Sequence, residues 1–160
     1  MTVAIANVDT AAAWDGDEGD DWARDWQRYD RSIQRYQDRL LVASTIDASD
    51  QVLDIGCGNG ESTRAAARVA VDGSALGVDL STRMVERARE LASSEGLANV
   101  AFQRADAQVH AFEPNAHDVA ISRFGAMFFA ESGRGFRQHL SRRPARWAPC
   151  DARLAGTRAQ

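Results

Sequence analysis

Lysine is absent from this chain: all 19 basic residues are arginine. So uniform a choice reflects a GC-rich coding sequence more than a special arginine chemistry. Cysteine is scarce too, with Cys57 inside a glycine-rich turn and Cys150 near the end. Two such residues make neither a disulfide framework nor a metal-ligand cluster, and they fit a reducing cytoplasm. No stretch reaches the roughly 18 consecutive apolar residues of a membrane-spanning helix. The first residues do not run from a basic into an apolar segment, so neither membrane insertion nor secretion is expected. A net charge of −4 hides an uneven distribution. Asp15, Asp17, Glu18, Asp20, Asp21 and Asp25 crowd the first third, whereas Arg134, Arg137, Arg142, Arg143, Arg146, Arg153 and Arg158 crowd the end. Only Phe136 and Trp147 interleave that arginine-rich end, too few aromatics for a nucleic-acid surface.

What is present is one domain's worth of chain, 160 residues of which 44% are hydrophobic, enough for a sizeable core. Its most informative stretch runs from Val52 to Glu61. Val52-Leu53-Asp54-Ile55 reads as a buried strand, and Gly56, Gly58 and Gly60 alternate after it. Glycines at such a turn let backbone approach a ligand where a Cβ would collide. About 20 residues on, the apolar run Leu76 to Val78 ends in Asp79, which places a carboxylate outside the carboxyl end of a sheet, where a ribose presents its hydroxyls. The spacing selects the nucleoside. In the dinucleotide fingerprint G-x-G-x-x-G the third glycine would fall at Glu61, an anion beside the place of a pyrophosphate. NAD and FAD are therefore disfavoured. A ligand without phosphates that carries cationic groups, such as S-adenosylmethionine with its sulfonium and ammonium, suits carboxylates at this helix mouth.

The phrases VLDIGCGNG (52 to 60), ALGVDLSTRMVERAR (75 to 89), ADA (105 to 107) and HDVAISRFG (117 to 125) occur in an order and spacing that resembles the class I S-adenosylmethionine-dependent methyltransferases. The closest likeness is to the small-molecule methyltransferase-domain branch related to quinone C-methyltransferases, over roughly residues 10 to 130. The resemblance implies an α/β fold: a Rossmann-like parallel sheet with flanking helices and an N-terminal helical cap. It implies S-adenosylmethionine as cofactor, a small-molecule methyl acceptor and transfer by in-line displacement. The implied cofactor contacts are Asp54, Gly56, Cys57, Gly58, Gly60, Asp79, Leu80, Met84, Asp106, Ala107 and Ser122. Among them Asp79 would accept hydrogen bonds from both ribose hydroxyls, Met84 would pack on the adenine face or fill the core, and Asp106 with the Ala107 amide would read the adenine edge. Ser122 and Arg123 would end a strand at the level of methyl delivery. No metal is implied, since no histidine and carboxylate set has ligand spacing. His110 and His117 are the nearest groups for removing a proton from an acceptor, although two histidines in a loop-rich stretch are more often surface residues.

The chain divides into residues 1–48, an acidic segment and helical cap; 49–130, the cofactor-binding core; and 131–160, an irregular arginine-rich tail. Residues 1–20 are expected to be loosely ordered, followed by helices over Trp22 to Tyr29 and Ile33 to Thr45. In the second of these Ile33, Tyr36, Leu40, Leu41 and Ser44 share a face. Trp14, Trp22, Trp26, Tyr29 and Tyr36 either line an acceptor pocket or pack on the surface. Helices are expected from Glu61 to Val71 and from Ser81, as N-cap, to Ser94, with strands Val100 to Arg104 and Asp118 to Ile121. Strands alternating with helices imply a parallel sheet with right-handed crossovers.

After about Ala130 the pattern fails. The family continues with a helix, a Pro-Gly-Gly turn and three further strands, whereas Ser132 to Gln160 shows no clear strand. Absent those strands, the edge of the fourth would be bare. A frame shift accounts for the break: the codons for Ala145 to Cys150, read one base later, can spell Pro-Gly-Gly-Arg-Leu. The same offset turns Phe136-Arg137-Gln138-His139 into Phe-Ala-Asn-Ile. One base inserted near codon 131 would scramble the tail, and the chain is then either a methyltransferase or a truncated remnant that holds the cofactor without turnover.

Overall fold

The computed structural model describes residues 4–6 and 8–128 and the backbone of Arg146–Cys150. Five parallel strands form one sheet in the order β3-β2-β1-β4-β5: β1 (Gln51–Ile55), β2 (Ser74–Asp79), β3 (Val100–Arg104), β4 (Val119–Arg123) and β5 (Arg146–Cys150). Helices α1 (Val8–Trp14), α2 (Asp17–Arg24) and α3 (Trp26–Ser44) precede the sheet, and α4 (Glu61–Val69) and α5 (Thr82–Ser94) connect its first three strands. The chain therefore has the parallel α/β architecture that its alternating pattern implies.

β1 is central and buried along almost its whole length, as a near-continuous apolar run must be when helices cover both faces. Its side chains separate by the period of two. Val52 joins Leu40, Ala66, Ala67, Ala70, Val119 and Ile121 on one face, while Leu53 and Ile55 join Val78, Ala105, Phe112 and Ala120 on the other. Alanines on α4 bring that helix close to the sheet. Its last turn is closed by Asn99, whose Nδ2 donates to the carbonyls of Ala67 (2.9 Å) and Ala70 (2.8 Å), groups that the helix itself cannot satisfy.

Several expected boundaries hold and several move. β3 has the expected bounds, and α5 runs to Ser94 behind Ser81, whose Oγ accepts the Met84 N–H at 3.3 Å. α4 stops at Val69, two residues short of Val71. The first 20 residues, expected to be loosely ordered, contain α1 and the start of α2. They are tied down by charge: Asp15 accepts the Thr82 N–H (2.7 Å) at the start of α5 and pairs with Arg104 (2.7 Å). The two expected cap helices meet differently as well, with the break at Asp25 and α3 extending from Trp26 to Ser44.

The expectation of no strand after Ser132 is overturned by β5, which pairs in parallel with β4 from Val119↔Arg146 to Arg123↔Cys150. β4 is therefore not the bare edge foreseen from the sequence. β5 lies last in the sheet order, where Pro149 is tolerated because an edge strand has one side free of the ladder. The rest of the expected irregular tail, residues 131–145 and 151–160, including the Phe136 to His139 segment, lies outside the described residues.

The order reverses beside β1, since α4 leads to β2 on one side while β4 lies on the other. Crevices at such reversals, beyond the carboxyl ends of the strands, are where open α/β sheets bind ligands. Here the two turns pack backbone on backbone: a Cβ on Gly56 would stand 2.5 Å from Gly125 Cα.

Gly60 is needed for a different reason. Its φ is +78°, and a Cβ there would stand 2.6 Å from the Phe102 ring and 2.8 Å from Ala88. The Gly60→Ala variant should therefore lose roughly 2–4 kcal/mol from left-handed strain and overpacking together. Thermal unfolding should show a lowered Tm, and an unchanged Tm would contradict this packing.

Candidate functional site

The turn after β1 is drawn across to the end of β2. Gly56 and Cys57 both donate their N–H groups to the Val78 carbonyl, at 2.9 and 3.0 Å, and Gly56, Gly58 and Gly60 all take positive φ. Asp79 then joins the two loops. Its Oδ2 accepts the Gly58 N–H at 2.8 Å and its Oδ1 accepts the Ser81 N–H at 3.0 Å. Burial raises the Asp79 carboxyl above the usual carboxylate range, and backbone N–H bonds from Ser81, Gly58 and Leu80 oppose that rise.

A cleft opens over this turn. It holds about 960 Å³ of empty space, its open mouth included. Of the eleven expected cofactor residues, nine line it: Asp54, Gly56, Cys57, Gly58, Asp79, Leu80, Met84, Asp106 and Ala107. Gly60 and Ser122 do not. Gly60 packs on α5 and β3 as described above, and Ser122 ties strands together, donating its Oγ–H to the Ile55 carbonyl (2.7 Å) and accepting the Ala126 N–H (3.0 Å). Ser122 is buried among the strand ends, so its side chain secures the shape of the cleft from behind.

Two buried oxygens in the cleft lack a hydrogen-bond partner among the described residues, Asp54 Oδ1 and Asn59 Oδ1. The other Asp54 oxygen accepts the Thr63 hydroxyl at 2.6 Å, and Asn59 Nδ2 donates to the Trp22 carbonyl at 3.1 Å, fastening the helical cap to the turn. Asp54 is 1% exposed. Burial pushes its carboxyl up to about 6, against the Thr63 hydrogen bond and the attraction of Arg123. Unmet acceptors at a buried site are costly, and a ligand bringing N–H donors on a cationic group would satisfy both. S-adenosylmethionine, with its ammonium, fits this donor demand.

At the far end of the cleft Asp106 accepts the Gln108 N–H at 2.9 Å and the Ala6 N–H at 2.8 Å. Met84, 3% exposed, has its thioether 3.7 Å from where a Gly58 Cβ would lie. It is buried and lines the cleft.

The opposite wall comes from the cap and the end of β4: Trp14, Trp22, Ile33, Phe124 and Phe128, with Asp30 and Arg123 among them. Of the five aromatic residues whose place the sequence left open, Trp14 and Trp22 line the cleft, whereas Trp26, Tyr29 and Tyr36 do not. Arg123 donates to Gln37 Oε1 at 3.0 Å and to Glu61 Oε2, and its Nη2 stands 3.7 Å from Asp30 Oδ1. Asp30 and Asn59 were missed in the sequence. Asp30 and Gln37 fall at helical spacing with Ile33, Leu40 and Ser44, and polar residues on that apolar face were the available signal. His110 and His117 lie outside the cleft. They pack edge-on against Phe112, with ring centroids 4.7 and 6.3 Å away, and burial lowers the His117 pKa. Among the described residues no group of three or more His, Cys, Asp or Glu side chains is placed to hold a metal ion.

The profile of the methyltransferase domain matches residues 52–142, more than half of the chain and past residue 130, where the sequence pattern breaks. Aklanonic acid methyltransferase DauC of Streptomyces sp. (strain C5) is 32% identical over 95 residues, 59% of this chain and 43% of that protein. The 27-O-demethylrifamycin SV methyltransferase of Amycolatopsis mediterranei (strain S699) is 33% identical over 99 residues, 61% of this chain and 36% of its own length. Among solved structures, YcgJ of Bacillus subtilis superposes with a TM-score of 0.61 at 27% identity, covering 68% of this chain and 45% of that one. The chain thus spans less than half the length of each of these proteins.

The raised carboxyl of Asp54 gives the site a definite pH response. A carboxyl whose folded pKa lies above its unfolded value contributes stability that is full below the unfolded value, here 3.8, and is lost as pH rises through about 6. A cationic donor placed on Asp54 reverses that preference by favouring the ionised form. S-adenosylhomocysteine, which carries the same ammonium, should therefore bind about tenfold more tightly at pH 7 than at pH 5, with proton release near pH 6. Calorimetry in buffers of differing ionisation enthalpy measures both quantities. Asp54→Asn should flatten the dependence, and a pH-independent affinity in the unaltered protein would contradict the assignment.

Proposed function

This chain belongs to the methyltransferase-domain family, and we propose that it takes S-adenosylmethionine as its cofactor and transfers a methyl group to a small-molecule acceptor by in-line displacement. The observation that carries the reading is the pair of buried oxygens without a hydrogen-bond partner among the described residues, Asp54 Oδ1 and Asn59 Oδ1, beside a glycine turn pinned by Asp79. We assign the ribose hydroxyls to Asp79, the adenine edge to Asp106 and the Ala107 amide, and the adenine face to Met84 and Leu80. Gly56, Cys57 and Gly58 offer close backbone, and Asp54 with Asn59 takes the ammonium. Gly60 and Ser122 maintain the geometry without touching the ligand.

The bound cofactor supplies a methyl group made electrophilic by its sulfonium. What the protein adds is placement, and holding two reactants in line accounts for roughly 7–11 kcal/mol of barrier in favourable cases. Helices α1, α2 and α3 supply Trp14, Trp22 and Ile33 to the wall of the cleft. The names of two relatives, an aklanonic acid and a demethylrifamycin methyltransferase, support a small organic acceptor. No helix of the described residues is long and apolar enough to cross a membrane. A cytoplasmic location is part of the proposal, and the scarcity of cysteine fits it.

A second reading is a module that holds the cofactor without turnover. Calorimetry and an acceptor screen separate the two. S-adenosylhomocysteine should bind one to one and NADH should give no heat, because Glu61 opens α4 where a pyrophosphate would sit. Labelled methyl should then pass from S-adenosylmethionine to at least one small acceptor. Cofactor binding with no transfer across the screen would favour the second reading, and NADH binding in competition with S-adenosylhomocysteine would contradict both.

A further inference from the structure

One carboxylate in the cleft is left unused by the cofactor assignment. Asp30, on α3, is 9% exposed and shares its wall with Trp14, Trp22, Ile33, Phe124 and Phe128. The nearest guanidinium nitrogen, Arg123 Nη2, stands 3.7 Å away, beyond hydrogen-bond length. Arg123 itself is fixed on its other side by Glu61 and by Gln37, whose Oε1 also accepts the Ser62 hydroxyl at 2.6 Å. Here a rigid cation and a loosely engaged carboxylate sit together at the polar end of an otherwise aromatic wall. The rings there interlock edge to face, Trp14 with Trp22 at 5.9 Å and with Phe128 at 5.1 Å, so the surface they offer is apolar.

We propose that Asp30 and Arg123 form the polar end of the acceptor site, and that the acceptor is a largely apolar, flat compound bearing a weakly acidic phenolic or enolic hydroxyl. Asp30 takes the hydroxyl proton and Arg123 steadies the charge that develops on oxygen. This inference rests on the methyl-transfer reading above. The balance is simple. The acceptor's O–H bond breaks and its proton passes to the Asp30 carboxylate. An oxygen electron pair forms the new bond to the methyl carbon, and the pair of the broken carbon–sulfur bond remains on sulfur. The groups facing Asp30 agree with a base of moderate strength: burial and Glu61 of α4 raise its carboxyl to about 6, and Arg123 of β4 and Arg64 of α4 oppose the rise. It is therefore ionised at neutral pH and neutral in acid.

The test uses the full chain, 2-naphthol as probe and naphthalene as its hydroxyl-free counterpart. With the protein saturated by S-adenosylhomocysteine, 2-naphthol should bind about tenfold more tightly than naphthalene, as a hydrogen bond to a charged group implies. Asp30→Asn should bind S-adenosylhomocysteine as the unaltered protein does, yet lose the preference for the hydroxyl. Its methyl transfer to 2-naphthol should fall about hundredfold, with loss of the rate limb near pH 6. Arg123→Gln should lose the preference too, an independent arm if Asp30→Asn does not fold. Equal binding of the two probes by the unaltered protein would overturn the proposal, as would retention of the preference in both variants. A tenfold or greater weakening of S-adenosylhomocysteine in either variant, in the range of about 1.4 kcal/mol or more, would overturn it as well, by placing the pair on the cofactor's amino-acid end. Failure of the unaltered protein to bind S-adenosylhomocysteine would instead remove the underlying methyl-transfer reading.

Discussion

The cleft depends on a carboxylate that bonds backbone with both of its oxygens. Asp79 holds the Gly58 N–H at 2.8 Å and the Ser81 N–H at 3.0 Å, so one side chain fixes the glycine turn after β1 against the first turn of α5. Charge-assisted bonds of this kind are among the stronger ones available to a protein. The Val78 carbonyl, one residue earlier, takes the Gly56 and Cys57 N–H groups. Together these four bonds set the backbone path over which a ligand would lie. Only glycine follows that path freely, since each of its three alternating positions has positive φ.

Around this clamp the charges are arranged for a ligand that brings its own positive charge. Buried Asp54 and half-buried Asp79 both line the cleft, each with its carboxyl raised by desolvation, and Asp79 adds to the rise at Asp54. Across the cleft Arg123 is committed to Glu61 and Gln37. A phosphate at the start of α4 would meet Glu61, whereas an ammonium would meet acceptors that have no partner among the described residues. The same electrostatics therefore separates a sulfonium nucleoside from a dinucleotide, although the sheet topology suits both.

The parts of this protein that were legible in its sequence are those governed by short-range pattern. β1, β3 and α5 announce themselves by apolar runs, glycine punctuation and the Ser81 cap. The glycine turn and Asp79 carry the cofactor reading through their spacing alone. Contacts between distant segments were not legible. Asp15 looked like part of a loose acidic run, yet it is held by Thr82 and Arg104, 67 and 89 residues away. Asp30 was passed over, because nothing local says that Arg123 and Glu61 will stand next to it. Ser122 looked like a ligand contact from its place at a strand end, but its hydroxyl bonds the neighbouring strand. β5 was hidden for a related reason: Arg146-Trp147-Ala148-Pro149-Cys150 has no strand periodicity, and only its pairing with β4 defines it.

The central claim, that Asp79 both shapes the cleft and binds the nucleoside, is tested most directly by titrating S-adenosylhomocysteine into the Asp79→Ala variant. Circular dichroism should first establish that the variant is folded. Loss of hydrogen bonds to a charged group costs about 1.5–3 kcal/mol, so the affinity should fall roughly tenfold to a hundredfold or more. An affinity equal to that of the unaltered protein, in a folded sample, would contradict the account.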